Sequence, residues 1–357
     1  MYLHALATAV PKASFSQPDC WRIVEASAAR SRLKRRSMLI LRSILLGDHG
    51  IDRRHFAVPH VESVFDRSAD ELNQAFLAEA PALAARALGA ALERSGTAPA
   101  EVDALLACTC TGYLCPGVTS YVAERLGLRG DAHMQDMVGL GCGAAIPTLR
   151  AASHLLAAHP GATVACVAVE ICSAAFYLDD DPGVLISACL FGDGAAATLW
   201  RASPGPSGLR AFGFDSLHQP GDRDKLRFEQ RGGKLRNRLD RSVPELAAGA
   251  VGRLWARRGP RPVSAVVAHP GGRDVLEAMA PVVAPHPLEA SARTLRENGN
   301  MSSASVVFAL EEALRGGGPG PEGDFWLVSF GAGFSAHSCR LGLPTHAHPQ
   351  GPRRLLR

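Results

Sequence analysis

Two stretches of the chain are apolar on both alternating faces: VDALLACTCT (residues 102–111) and ATVACVAVEIC, which follows Gly161. A strand with one wet face alternates polar and apolar residues, so strands apolar throughout must be covered on both sides. Between them, GVTSYVAERLGL and AAIPTLRAASHLLAAH carry apolar residues at helical spacing. Pro147 fits the second helix only near its start, because a deeper proline removes a hydrogen bond and clashes with the preceding turn. AAATLWRA reads as a further strand, and the Pro/Gly-rich RASPGPSGLR (201–210) as a seam. Beyond the seam the theme returns. A helix in PELAAGAVGRLWARRG ends at Gly259, followed by strand VSAVVAHPGG, helix RDVLEAMAPVV, helix SSASVVFALEEALR and strand DFWLVSFGAG.

This alternation predicts an α/β protein with buried sheets and helices outside or between them. The expected division is an N-terminal half over 1–205, a C-terminal half over 206–343, and a tail over 344–357. The tail, ending THAHPQGPRRLLR, lacks a periodic core pattern and is expected to be disordered.

A length of 357 residues, 47% of them hydrophobic and 20% charged, suffices for a large core. No uncharged apolar run of about 18 residues appears, so no membrane span is expected. The first residues lack a basic segment leading into an apolar one, so no signal peptide is read. Nine cysteines, an odd number, point to reduced thiols and a cytoplasmic setting. The net charge of +4 is mild, and with few aromatics and no reader motif nucleic acid is not an expected partner. The run RSRLKRRSMLILR is either the solvated face of an amphipathic helix or a dock for phosphates.

Three polar residues stand where apolar elements end beside glycine: Cys142 in GLGCGAA, His269 in VVAHPGG and Asn300 in ENGNMSSAS. Function in α/β folds gathers at such junctions. A cysteine, a histidine and an asparagine can serve as nucleophile, base and polar donor. Each alone has an ordinary structural explanation. A thiol at a helix start is expected to have a lowered pKa, further lowered by an imidazolium. His269 and Asn300 could then donate to a thioester carbonyl and stabilise an enolate, as an oxyanion hole does.

GCGAAIPTLR, LFGDGAAA (190–197), AHPGG (268–272) and GNMSSAS (299–305), in this order, resemble type III polyketide synthases, the chalcone-synthase-like members of the thiolase superfamily. The resemblance spans roughly residues 60 to 343. It implies a thiolase-like five-layered αβαβα fold of two similar halves, a homodimer, and no cofactor beyond the CoA thioester substrates. It implies iterative decarboxylative condensation of malonyl-CoA onto an acyl-CoA starter. Cys142 would carry the acyl chain, while His269 and Asn300 bind the malonyl thioester. Phe191 would be a gate between the CoA tunnel and the cavity. SFGAG (329–333) stands where plant members carry GFGPG, with Gly331 and Gly333 kept as substrate-facing candidates and Ala332 in place of proline. EQRGGKLRNRLDRSVP, where a second gating phenylalanine falls in the family, has none after Phe228. Lys34, Arg36 and Arg42 are the neighbourhood candidates for the CoA phosphates.

Cys110, Cys115 and Ala175 match positions at the starter cavity or the dimer-facing wall. Their small size predicts room for a long starter, hence a fatty acyl-CoA and an alkylpyrone or alkylresorcinol product. Cys108, Cys110 and Cys115 lack a second pair at zinc-finger spacing, so no metal is expected. The alternatives are a single-condensation enzyme like β-ketoacyl-acyl-carrier-protein synthase III, and a non-catalytic acyl-CoA-binding relative.

Overall fold

The structure is a computed structural model that describes residues 1–58, 60–321 and 323–344. The expected disordered tail lies, from residue 345 onward, outside the described residues.

The first half runs β1 (Tyr2–Ala9), β2 (Ser14–Ser16), α1 (Gln17–Ala26), α2 (Arg35–Leu46), β3 (Arg53–His55) and α3 (Ala69–Ser95). It continues through β4 (Ala104–Cys108), α4 (Val118–Leu126), β5 (His133–Met137), α5 (Ala145–Ala158), β6 (Val164–Glu170), α6 (Pro182–Leu190) and β7 (Gly194–Arg201). The second half holds β8 (Arg210–His218), β9 (Leu226–Arg231), β10 (Lys234–Leu239), α7 (Val243–Ala256), β11 (Val263–Ala268) and α8 (Arg273–Met279). It closes with α9 (Glu289–Asn298), α10 (Ser305–Arg315), β12 (Asp324–Gly331) and β13 (Ser335–Gly342).

Nine strands form one sheet in the order β11-β12-β13-β8-β1-β7-β6-β4-β5. Its two sections pair alike. β4 lies parallel to β6, β6 pairs antiparallel with β7, and β7 pairs antiparallel with β1. β11 likewise lies parallel to β12, β12 pairs antiparallel with β13, and β13 pairs antiparallel with β8. A single residue pair, Tyr2 with Arg210, joins the sections. The seam read at 201–210 is the connection between β7 and β8.

Alternation along the central strands shows why those strands are apolar on both faces. Val164, Cys166 and Ala168 of β6 enter one core with α5 and α10, while Ala165, Val167 and Val169 enter another with α3. In β12, Phe325 and Leu327 share the core of α5 and α10, whereas Trp326 and Val328 face α7 and α8. Outer helices, a sheet section, α5 with α10, the second section and outer helices give the five layers.

Local signals act as their chemistry requires. Ser68 and Glu71 close a capping box at the start of α3, and Gly96 ends it at φ 64°. Pro147 sits in the first turn of α5. By length and composition α3 could cross a membrane, which the reading of uncharged runs had not flagged. Here it packs against β1, β6 and β7 and buries Leu83, Ala84, Leu88 and Ala91.

Candidate active site

α5 and α10 occupy equivalent places in the two sections, and each is preceded by a tight 3-10 turn, Gly141–Gly143 and Ser302–Ala304 respectively. The turns touch across the central layer. This contact brings Cys142 beside the segment that carries Asn300. Ser302 Oγ donates to Cys142 Sγ at 3.2 Å, and Cys110 Sγ lies 3.0 Å from the same hydroxyl. Ser302 holds φ at 48°, a left-handed conformation that costs a non-glycine residue energy and clusters at functional sites.

His269 follows the last residue of β11, and its N–H donates to Val328 O at 2.8 Å. Its ring stands edge-on to Phe330, centroids 5.1 Å apart, and it is 1% exposed. Its Nδ1 is buried without a partner among the described residues. Asn300 Oδ1 accepts from Ser302 N–H at 2.8 Å, and one Nδ2 hydrogen goes to Gly271 O at 3.1 Å. A second Nδ2 hydrogen is left over for a ligand.

Cys142, His269, Asn300 and Phe191 line one cavity of about 720 Å³. Burial pushes the Cys142 thiol up to about 12, opposed by the Ser302 hydroxyl and reinforced by the Glu170 carboxylate. Burial likewise pushes the His269 imidazole down to about 3. The expected lowering of the thiol pKa is therefore corrected. Removal from water is the largest influence on both groups, raising the thiol and lowering the imidazole. No hydrogen bond joins them among the described residues; the thiol's partner is Ser302.

Glu170, at the end of β6 and wholly buried, accepts from Cys110 N–H, from the N–H and hydroxyl of Thr111, and from the Ser303 hydroxyl. One carboxylate thus fixes both loops beside the thiol. Arg54, 1% exposed, donates to Ala188 O at 2.7 Å, Phe191 O at 2.8 Å and Gln17 Oε1 at 3.0 Å. Its guanidinium also lies over the Phe56 ring.

The remaining candidates fall elsewhere. Gly331 is no cavity wall: a Cβ there would sit 2.5 Å from Gly143 N and from Leu140 O. It lets β12 pass directly behind the Cys142 turn. Gly333 adopts φ 125° beside the His218 ring, also off the cavity. Cys115 is exposed, and Ala175 borders a separate pocket of only about 20 Å³ behind Phe191. Neither Cys115 nor Ala175 lines the larger cavity.

Lys34, Arg36 and Arg42 are exposed on α2 and its approach, because that helix turns Ser37, Leu41 and Leu45 inward. Lys34 Nζ lies 3.7 Å from Asp180. The cations that line the cavity are Arg238, Arg241 and Arg273. The first two follow from a hairpin the sequence reading missed, although its Gly232-Gly233 turn, both at positive φ, is a hairpin signal. No group of three or more His, Cys, Asp or Glu among the described residues could hold a metal ion.

A cysteine, a histidine and an asparagine around one cavity of a thiolase-like fold define a condensing acyltransferase. Residues 19–207 match the FAE1/type III polyketide synthase-like protein family, and residues 256–343 match the C-terminal part of 3-oxoacyl-[acyl-carrier-protein] synthase III. The chain is 30% identical to 1,3,6,8-tetrahydroxynaphthalene synthase of Streptomyces peucetius subsp. caesius, over 93% of this chain and 90% of that one. It is 30% identical to 3,5-dihydroxyphenylacetyl-CoA synthase of Streptomyces toyocaensis, over 92% and 86%. The crystal structure of tetrahydroxynaphthalene synthase from Streptomyces coelicolor A3(2) superposes with a TM-score of 0.83 at 26% identity, covering 97% of this chain and all (100%) of that one. The chain belongs to the type III polyketide synthases, transferases that condense malonyl-CoA iteratively onto an acyl starter.

Proposed function

We propose that Cys142 is the acyl-carrying nucleophile and that His269 and Asn300 form the decarboxylation site of this polyketide synthase. The observation that carries this reading is their meeting, from three separate segments, on the wall of one cavity. On binding of the starter, the Cys142 thiol passes its proton to neutral His269, and the thiolate attacks the thioester carbonyl. The carbonyl–sulfur bond to CoA breaks, and CoA leaves with that proton. A malonyl thioester then places its carbonyl oxygen against His269 N–H and the second Nδ2 hydrogen of Asn300. Its bond to the carboxylate breaks, CO2 departs, and the electron pair forms an enolate held by those two donors. The enolate carbon attacks the Cys142 thioester, a carbon–carbon bond forms, and the Cys142 thiolate leaves, ready to reload.

Arg238, Arg241 and Arg273 supply cations at this cavity for the CoA phosphates. Ligands beyond the CoA thioesters are not part of this reading, nor is a cofactor. The limited space beside Ala175 supports a short starter, extended to an oxygen-rich chain, in place of the fatty acyl group expected from residue size alone. A homodimer is supported by the open edge at β5. Tyr113 and Val138, in the segments that follow the parallel strands β4 and β5, are large apolar side chains left 74% and 55% exposed, as an interface with a second copy would use. A cytoplasmic setting fits nine unpaired cysteines.

Incubation with labelled malonyl-CoA and a panel of acyl-CoAs, with products identified by mass, tests the reading. Cyclised products of several condensations from short starters are expected. A linear β-ketoacyl product of one condensation, or turnover of long-chain starters only, would overturn it.

A further inference from the structure

Two side chains border both the 720 Å³ cavity and the small pocket behind it: Phe191 and Asn237. The wall between the two spaces is therefore half apolar and half polar. Asn237 lies on β10, paired in register with Phe228, and is 6% exposed. Its Nδ2 donates to Ser187 Oγ at 2.8 Å, and that hydroxyl donates onward to Gly183 O at 2.6 Å. Asn237 Oδ1 accepts from no group among the described residues. Around it the small pocket is mostly apolar, with Ala175, Phe176, Val184 and Leu235.

A buried amide is costly unless its groups are paired, and packing alone would be served as well by leucine. Asn237 thus keeps one acceptor and one remaining Nδ2 hydrogen for whatever enters the cavity. We propose that Asn237 is a specificity-determining residue that pairs with the growing poly-β-keto chain beside Phe191. A chain with oxygen on every second carbon meets both groups: an enol O–H donates to Oδ1, and a ketone oxygen accepts from Nδ2. An alkyl chain meets neither and strands the amide in a dry wall. The proposal rests on the condensing role of the same cavity.

The test compares wild type with Asn237→Leu and Asn237→Asp, using labelled malonyl-CoA and a short starter, and reads the ratio of longest to shortest product by mass. Leucine keeps the volume and removes both groups, while Ser187 retains Gly183 O as partner; aspartate keeps the acceptor. The leucine variant is expected to lower the ratio roughly tenfold, the scale of one lost buried pairing, and aspartate to restore much of it. If leucine lowers the melting temperature by more than a few degrees, Asn237→Val repeats the measurement. An unchanged ratio in the apolar variant, or the same loss with aspartate, overturns the proposal. If wild type itself forms no extended product, the failure lies with the condensing role.

Discussion

Phe191 and Asn300 are joined backbone to backbone as an isolated parallel bridge. Asn300 N–H donates to Leu190 O at 2.9 Å, and Gly192 N–H donates to Asn300 O at 3.0 Å. A displacement of the Phe191 backbone is therefore felt by the asparagine. Arg54 fixes this bridge from behind through Phe191 O, and Gly299 makes room for it: a Cβ there would meet Leu190 O at 2.8 Å and Arg54 Cγ at 2.9 Å.

Arg54→Met removes the donors to Ala188 O and Phe191 O in a buried setting. A loss of about 2–4 kcal/mol of stability is expected, the scale of two stranded carbonyls. A urea midpoint within error of wild type would show that the bridge stands without Arg54.

Gly331→Ala places a methyl group where Gly143 N and Leu140 O already stand at 2.5 Å. Both neighbours are backbone, so the Cys142 turn must shift. Activity is expected to fall at least tenfold, on the principle that a misplacement of about 1 Å costs that much or more. Full activity with an unchanged melting curve would mean that the turn yields freely.

The thiol of the free enzyme, pushed up to about 12, predicts slow alkylation of Cys142 near neutral pH, rising through the alkaline range. Ser302→Ala removes the hydroxyl that favours the thiolate, so the alkylation profile should move to still higher pH. Fast alkylation at pH 7 in wild type would place the thiolate in the resting state.

Cys142→Ala should abolish condensation yet retain malonyl-CoA decarboxylation, since its proposed donors, His269 and Asn300, remain. Asn300→Ala should chiefly impair the decarboxylation. Release of labelled CO2 separates the two, and equal loss in both variants would refute the division of roles.

Acid should weaken the fold through its buried histidines. His269 stays neutral down to about 3 and His337, behind the Cys142 turn, to about 4, both chiefly through burial. An exposed imidazole takes its proton near 6.5. Between those values the unfolded chain binds more protons, so stability is whole above about 6.5 and declines as pH falls through that window. His337→Gln should flatten the melting temperature against pH between about 6.5 and 4; an unchanged slope would remove His337 as a source.

The apolar strands around Leu105, Val167 and Leu327, and the helices between them, were legible because burial on both faces leaves its mark in every residue of a strand. Cys142, His269 and Asn300 drew attention as polar residues at the junctions of elements, and the structure places all three on one cavity wall. The hairpin with Asn237 and Arg238, and Arg241 just beyond it, was less legible: its strands are polar, and Gly232-Gly233 is a brief signal. Sequence gives the charge of α2 but not the direction its faces take, so it could not show that Arg238, Arg241 and Arg273 are the arginines lining the cavity.

What the amino-acid sequence determined by itself was the order of the main elements, the doubled α/β plan and the candidates for the reactive groups, all written in local periodicity and residue chemistry. Tertiary structure decided which groups meet. The contact of the Cys142 and Ser302 turns joins residues 160 positions apart, and the packing of Gly331 behind the thiol joins residues still farther apart in the chain. Desolvation is set there too, by the whole surrounding core, and it moves the thiol up and the imidazole down where the helix terminus alone predicted a lowered thiol.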